Sequence, residues 1–172
     1  MAEEINPLER AKALALRVLA FHARSEAQLR TRLAKGGFPD EAEEVVVWLR
    51  RLGYLDDAAY AKARARELLA PGRAGPRMAE RRLRAAGIDA AAAAGAVRAA
   101  ADERAQELSS GREPAEMVLC RAALARKLRG ADPAALDARA RAGLARFLLG
   151  RGFSGSVVAR VVGMREDLDL GE

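Results

Sequence analysis

Apolar residues along the chain recur at helical spacing, and one six-residue pattern, Leu-x-x-x-Gly-[Phe/Ile], closes an apolar helical stretch three times. It reads LAKGGF at 33–38, LRAAGI at 83–88 and LLGRGF at 148–153, so Leu33, Leu83 and Leu148 stand 50 and 65 residues apart. Ahead of the first copy, Ser25 and Gln28 have the spacing of a capping box, and Leu29 and Leu33 lie one turn apart on one face. Gly36 and Gly37 supply the positive φ that ends this helix, and Phe38 folds back onto its apolar side. Pro39 and Asp40 then open a second helix through EAEEVVVWLRRL, which ends at Gly53.

The other copies follow the same plan. Gly75 and Pro76 start a helix carrying Ala79 and Leu83, Gly87 stops it, Ile88 packs back, and Asp89 caps an alanine-rich helix containing Val97. In the third copy Leu144 and Leu148 precede Gly152 and Phe153, Ser154 caps, and Val158, Val161 and Val162 follow. Val47, Val97 and Val162 each stand nine residues after the residue that packs back, and Leu29, Ala79 and Leu144 each stand four before the motif leucine. A further helix precedes each unit, over 8–23, 57–70 and 115–129. The expected fold is therefore all-α, with three tandem three-helix repeats in an elongated, curved array. The expected divisions are 1–55 (an N-terminal tail and the first repeat), 56–110, 111–166 and an acidic tail at 167–172, with a loose loop at 130–138.

Composition agrees with helices and narrows the chemistry. The 172 residues are 51% apolar but only 4% aromatic, which means alanine and leucine cores of little thickness. Thirty Lys and Arg against 24 Asp and Glu leave a net charge of +6, favouring a polyanion or an acidic protein surface as partner. Lysine occurs only at positions 12, 35, 62 and 127, so the positive charge is nearly all arginine, suited to bidentate contact with phosphate or carboxylate. The single cysteine, Cys120, lies in the helical run MVLCRAALARKL and reads as a small buried apolar residue. No stretch approaches the roughly 20 apolar residues that span a bilayer, and the N-terminus has no apolar signal core, so a cytoplasmic protein without a membrane partner is expected.

Catalytic candidates are scarce. The lone histidine, His22, falls in the apolar stretch LALRVLAFHA, which points to a structural role. The carboxylate pairs Glu43–Glu44 and Asp56–Asp57 sit where helices need caps or solvated faces. No metal cluster or phosphate-cradling glycine loop is present, so neither cofactor, metal site nor enzymatic activity is expected. A glycine turn between short helices also describes a helix-turn-helix, yet the helix starts PDEAEEV, DAAAAAG and SGSVVAR offer few side chains for base edges. Base-specific readout is disfavoured.

Between the first two copies lies LRRLGYLDDAAYAKARA, residues 49–65. Together with SEAQLRTRL, LAKGGF, GPRMAERRLRAAGI and FLLGRGFSGSVV, in that order, it resembles the RecX family of recombination regulators over roughly residues 12–164. The resemblance implies three tandem three-helix repeats, which the spacings also suggest on their own. It further implies a protein that binds the RecA recombinase filament on single-stranded DNA, lies along its groove, and suppresses ATP hydrolysis, strand exchange and filament growth. Direct binding of single- or double-stranded DNA is a second implied contact, and the expected form is a monomer. Ala79, at a position where the family commonly has a larger aliphatic residue, and the bare helix DAAAAAGAVRAA lead to the expectation of a less rigid second unit.

Candidate contact residues follow from exposure and repetition. Arg77, Arg81 and Arg84 form a narrow stripe opposite Ala79, Leu83 and Ala86, and Arg73 in the preceding loop extends it. Arg30, Arg32 and Lys35 around the first motif, and Arg146 and Arg151 around the third, suggest a continuing basic track. In GYLDD, Gly53 stops a helix, Tyr54 and Leu55 are expected to pack between units, and Asp56 or Asp57 to cap the next helix. Tyr54 and Asp57 are the alternative contact residues for a recombinase.

Overall fold

In the computed structural model, residues 6–130 and 136–163 are described; the acidic tail at 167–172 and the middle of the expected loose loop lie outside them. The described residues form α-helices and no strand. They are α1 (Pro7–Phe21), α2 (Glu26–Lys35), α3 (Ala42–Arg51), α4 (Asp57–Leu68), α5 (Pro76–Ala85), α6 (Ala90–Leu108), α7 (Ala115–Leu128), α8 (Ala138–Gly150) and α9 (Gly155–Val162).

Short polar side chains start most of these helices by accepting from N–H groups that have no intrahelical partner. Asn6, Ser25, Asp56, Asp89 and Asp137 do so for α1, α2, α4, α6 and α8. At Ser25 the capping box is complete: Ser25 Oγ accepts from Gln28 N at 3.2 Å, and Gln28 Oε1 accepts from Ser25 N at 3.3 Å. Ser154 departs from the expected cap. Its Oγ and its N–H both donate to the Glu116 carboxylate, which fastens the start of α9 to α7. Two boundaries also differ from the sequence reading. The first helix ends at Phe21 because His22 adopts extended backbone, and α3 begins at Ala42 because Pro39–Glu41 form a turn rather than its first residues.

The recurrent motif is a helix-ending hydrogen-bond pattern. In each copy the N–H of the last motif residue donates to the carbonyl of the motif leucine: Phe38 to Leu33 at 3.0 Å, Ile88 to Leu83 at 3.1 Å, Phe153 to Leu148 at 3.3 Å. The motif glycine donates to the residue after that leucine, completing a Schellman turn, with φ of +90° at Gly37, +85° at Gly87 and +89° at Gly152. A fourth instance, LRRLGY at 49–54, makes the same pair of bonds, Tyr54 to Leu49 at 2.9 Å and Gly53 to Arg50 at 3.0 Å. It falls outside the Leu-x-x-x-Gly-[Phe/Ile] pattern because tyrosine stands where the other three carry Phe or Ile.

Leu33, Leu83 and Leu148 are fully buried, and so are Leu29 and Ala79. Leu144, the equivalent of Leu29 and Ala79 in the third unit, is only half-buried, and its neighbour Ala145 takes the buried place. The expected register also fails in the first unit, where Val47 is only half-buried while Val45, Val46 and Leu49 form the core face. The reason is the turn at Pro39–Glu41, which starts α3 late. Counted from each helix's own first residue, the fourth and eighth positions are buried in all three: Val45 and Leu49 in α3, Ala93 and Val97 in α6, Val158 and Val162 in α9.

The core is divided unevenly. One cluster belongs to α1–α3 and the segment leading to α4, with Ala11, Ala15, Leu29, Leu33, Val45, Val46, Leu49 and Leu55 at its centre. A second, larger cluster runs through α4–α9 without a break, and buried Cys120 lies in it. The expectation of a looser second unit meets a packed helix. The alanines of α6 let α4, α5 and α7 approach it closely, and Ala93, Val97, Ala100, Ala101 and Ala105 are all buried.

Successive units dock through one repeated joint. Ser25 Oγ donates to the Ala86 carbonyl, and Gly75 N donates to the Arg151 carbonyl at 2.7 Å. Ser25 and Gly75 each stand eight residues before a motif leucine, and Ala86 and Arg151 each stand three after the next one. The joint therefore sets the start of one unit's second helix against the glycine turn of the following unit. A Cβ on Gly87 would collide with Ala27 Cβ, and one on Gly152 with the backbone and Cβ of Met78, whereas one on Gly37 would meet nothing.

Candidate binding surface

On α5, burial of Ala79 and Leu83 turns Arg77, Arg81 and Arg84 to solvent, with Arg82 beside them. None of the four makes an ion pair with a described carboxylate. Arg146 on α8 and Lys35 at the end of α2 are likewise exposed and unpaired among the described residues. Counted from the motif leucines, Arg81 and Arg146 are equivalent, as are Arg32 and Arg82.

The other basic candidates have internal partners. Arg30 donates to Glu43 at 2.8 Å and to Glu26 at 3.1 Å, tying α2 to α3. The hydrogen bond with Glu43 holds this guanidinium above its ordinary range and holds the Glu43 carboxyl below its own. Arg73 is largely exposed and reaches Glu67 at 3.3 Å. Arg151 donates to the carbonyls of Gly72 and Arg73 and stands 4.9 Å from the Phe147 ring centre. Its guanidinium thus braces the loop before α5.

The GYLDD segment divides its labour. Leu55 is buried, but Tyr54, expected to pack between units, is 62% exposed. Its backbone completes the Schellman turn while its ring stays free, unlike buried Ile88 and Phe153 at the equivalent positions. Asp56 caps α4 by accepting from Ala58 N and Ala59 N, each at 2.9 Å. Asp57 does not cap its own helix; it accepts from Glu26 N at 2.9 Å, capping α2 from 31 residues away. Tyr54 borders an open, largely apolar groove of about 560 Å³ between α1 and α4, lined by Leu16, Leu19, Tyr60 and Ala63 among others. His22 is exposed at the end of α1 rather than inside it, and lines a neighbouring groove with Tyr60, Arg64 and Glu67.

Two features concern chemistry. Among the described residues no group of three or more His, Cys, Asp or Glu could hold a metal ion, and no helix is long and apolar enough to cross a membrane. Burial, assisted by the negative charge of Glu116, pushes the Cys120 thiol up to about 12. It stays protonated and packed.

A family model described as the first three-helix domain of RecX matches residues 11–49, which cover most of α1, all of α2 and most of α3. The "Regulatory protein RecX" of Streptomyces coelicolor is 35% identical over 159 residues, an alignment spanning 91% of this chain and 78% of that protein. This chain belongs to the RecX family of regulatory proteins. A protein of the same name from Mycobacterium avium is 46% identical over 55 residues, and there the match spans only about a third of each, 31% of this chain and 32% of the relative. In fold, the crystal structure of RecX from Lactobacillus salivarius superposes with a TM-score of 0.60 over 92% of this chain and 96% of that one, at 18% identity. The repeated helix-stop motif thus stands in a chain whose all-α fold is shared with that RecX structure.

Proposed function

We propose that this protein regulates the RecA recombinase: it binds the filament formed on single-stranded DNA and inhibits its ATPase, strand exchange and filament growth, so modulating recombination, DNA repair and the SOS response. The observation that carries this reading is membership of the RecX family along most of the chain. Arg77, Arg81 and Arg84, exposed and without an ion pair among the described residues, supply with Arg146, at the position equivalent to Arg81, a basic face for an anionic partner. Catalysis plays no part in this mechanism; inhibition is binding.

On this reading Arg77, Arg81 and Arg84 contact acidic side chains of the recombinase or the strand it holds, and exposed Tyr54 adds an apolar contact. Arg30 and Asp57 act behind the surface, holding α2 against α3 and α4. The deciding experiment adds the protein to a recombinase filament already assembled on saturating single-stranded DNA and follows ATP hydrolysis. Slower hydrolysis in proportion to added protein supports the proposal. Hydrolysis that slows only when DNA is limiting would instead describe a nucleic-acid-binding protein that competes for the strand.

A further inference from the structure

The first two units are built alike except in the length of one helix. Counted from the motif leucines, Ala11 and Ala15 of α1 are equivalent to Ala61 and Ala65 of α4, and all four are buried. The third helices differ: α6 runs for 19 residues and α3 for 10, a difference of about 13 Å of helix. With that length α6 packs against both α4 and α7, and its second half is tied to α4 where Glu103 accepts from Arg66 at 2.6 Å. By contrast α3 packs against α1 and α2 and stops at the Schellman turn of Gly53 and Tyr54.

That turn lines the open groove of about 560 Å³ between α1 and α4. On the α1 side the wall is Leu16, Ala20 and Ala23, all exposed; on the α4 side it is exposed Ala59 and Ala63 with half-buried Tyr60. Leu16 stands at the position equivalent to Arg66, the residue that holds the second half of α6. The third and fourth residues of α7, Met117 and Val118, are buried, whereas the same places in α4 are taken by Ala59 and Tyr60. The groove thus follows the path that additional turns of α3 would take, between the helices equivalent to α4 and α7. Its charge is one-sided. Arg24 lines it, half-buried and without an ion pair among the described residues, while the carboxylate that lines it, Asp56, is engaged by Ala58 N and Ala59 N.

We infer that this groove docks an amphipathic helix of about two to three turns from another protein, with apolar residues on its inner face and a carboxylate within reach of Arg24. Alanines on both walls let a helix approach closely, as the alanines of α6 let its neighbours approach. The docked helix would also cover the Tyr54 ring, whose equivalents Ile88 and Phe153 are covered within the fold. Arg24 selects an acidic helix over a basic one. A nucleic-acid strand is a poor match for walls of alanine and leucine. The inference goes beyond the recombinase reading and does not require it.

The test uses the full chain and fluorescein-labelled synthetic peptides of residues 97–110, which copy the second half of α6. In anisotropy titrations the parent should bind the peptide carrying Glu103→Leu about tenfold more tightly than the unchanged peptide, because a carboxylate set against Leu16 loses water without gaining a partner. The protein variant Leu16→Arg recreates the Arg66–Glu103 pairing and should reverse that preference. Adding Asp102→Asn and Glu107→Gln to the tighter peptide should weaken its binding to the parent severalfold and leave its binding to Arg24→Gln unchanged. Leu108→Asp, at an exposed leucine on α6, should bind within about twofold of the parent. Circular dichroism and Tm establish that each variant is folded. If the parent binds neither peptide, or folded Leu16→Arg keeps the parent's preference, the inference is wrong. It is also wrong if the parent is a dimer that Leu16→Asp dissolves, since the groove would then belong to a second copy of this chain. No recombinase is present in these measurements, so their failure leaves the ATPase test of recombinase regulation standing, and the reverse.

Discussion

At the scale of single residues, the motif leucines and glycines do different work. Leu33, Leu83 and Leu148 are fully buried in tightly packed surroundings, so replacing any one with alanine should lower unfolding free energy by about 2–5 kcal/mol in urea titrations. The glycines share a positive φ, but only Gly87 and Gly152 also lie against a neighbouring unit. Gly37→Ala should therefore cost about 1 kcal/mol, the strain of a left-handed backbone, while Gly152→Ala should cost clearly more; equal losses would remove the joint from the account. Cys120 carries a pH consequence. Its thiol titrates near 9.0 when unperturbed and near 12 in the fold, so the folded state holds its proton more tightly. The stability this contributes is complete below 9.0 and is lost as pH rises toward 12. The difference in urea midpoint between the parent and Cys120→Ala should change in that direction, and iodoacetamide at pH 8 should label the thiol only after unfolding.

At the scale of elements, the joints between helices depend on polar groups that composition does not flag. Ser25 caps α2 and donates across to Ala86, so Ser25→Ala removes a cap and leaves a buried carbonyl without its partner, a loss of about 1–3 kcal/mol measured by thermal or urea unfolding. Asp57 links the starts of α2 and α4 in the same manner. On the surface, Arg66 and Glu103 join α4 to α6 by paired hydrogen bonds of 2.6 Å each, and that bond holds Glu103 below its ordinary 4.5. A carboxylate lowered in the fold stabilises above its unfolded value, and the benefit fades as pH falls through the folded one. Urea midpoints of the parent and Glu103→Gln should therefore converge as the solution is taken below pH 4.5.

At the scale of the whole molecule, three units do not mean three independent cores. The apolar cluster of α4–α9 is continuous, while that of α1–α3 stands apart and meets the rest through Ser25, Ala27, Asp57 and their partners. Leu83→Ala and Leu148→Ala should each lower hydrogen-exchange protection throughout α4–α9, and Leu33→Ala should lower it chiefly in α1–α3. Uniform loss across all units in every variant would show one cooperative core instead. For function, changing Arg77, Arg81 and Arg84 together to glutamate should leave the fold intact, since exposed substitutions usually cost within about 0.5 kcal/mol each, and should sharply reduce inhibition of a preassembled recombinase filament.

The sequence by itself determined the helices and their stops, because capping and Schellman turns are local: Ser25 with Gln28, Asp89 and the Leu-x-x-x-Gly pattern act within six residues of themselves. It also determined the buried leucines and the exposed stripe on α5, which follow from helical periodicity. What it left open is what distant residues meet. Arg30, Asp57 and Arg151 are polar and look available in the sequence, yet each is engaged by a partner 13, 31 or 79 residues away. Tyr54 looks like a packing residue and stands in solvent because its turn needs only its backbone. The approach of Arg126, Lys127 and Arg151 to one another and to the loop at 72–73 has no local signature at all. Only the docking of α7 and α8 against the loop before α5 brings those charges together, since electrostatics depends on distance in space and the chain records only distance along itself.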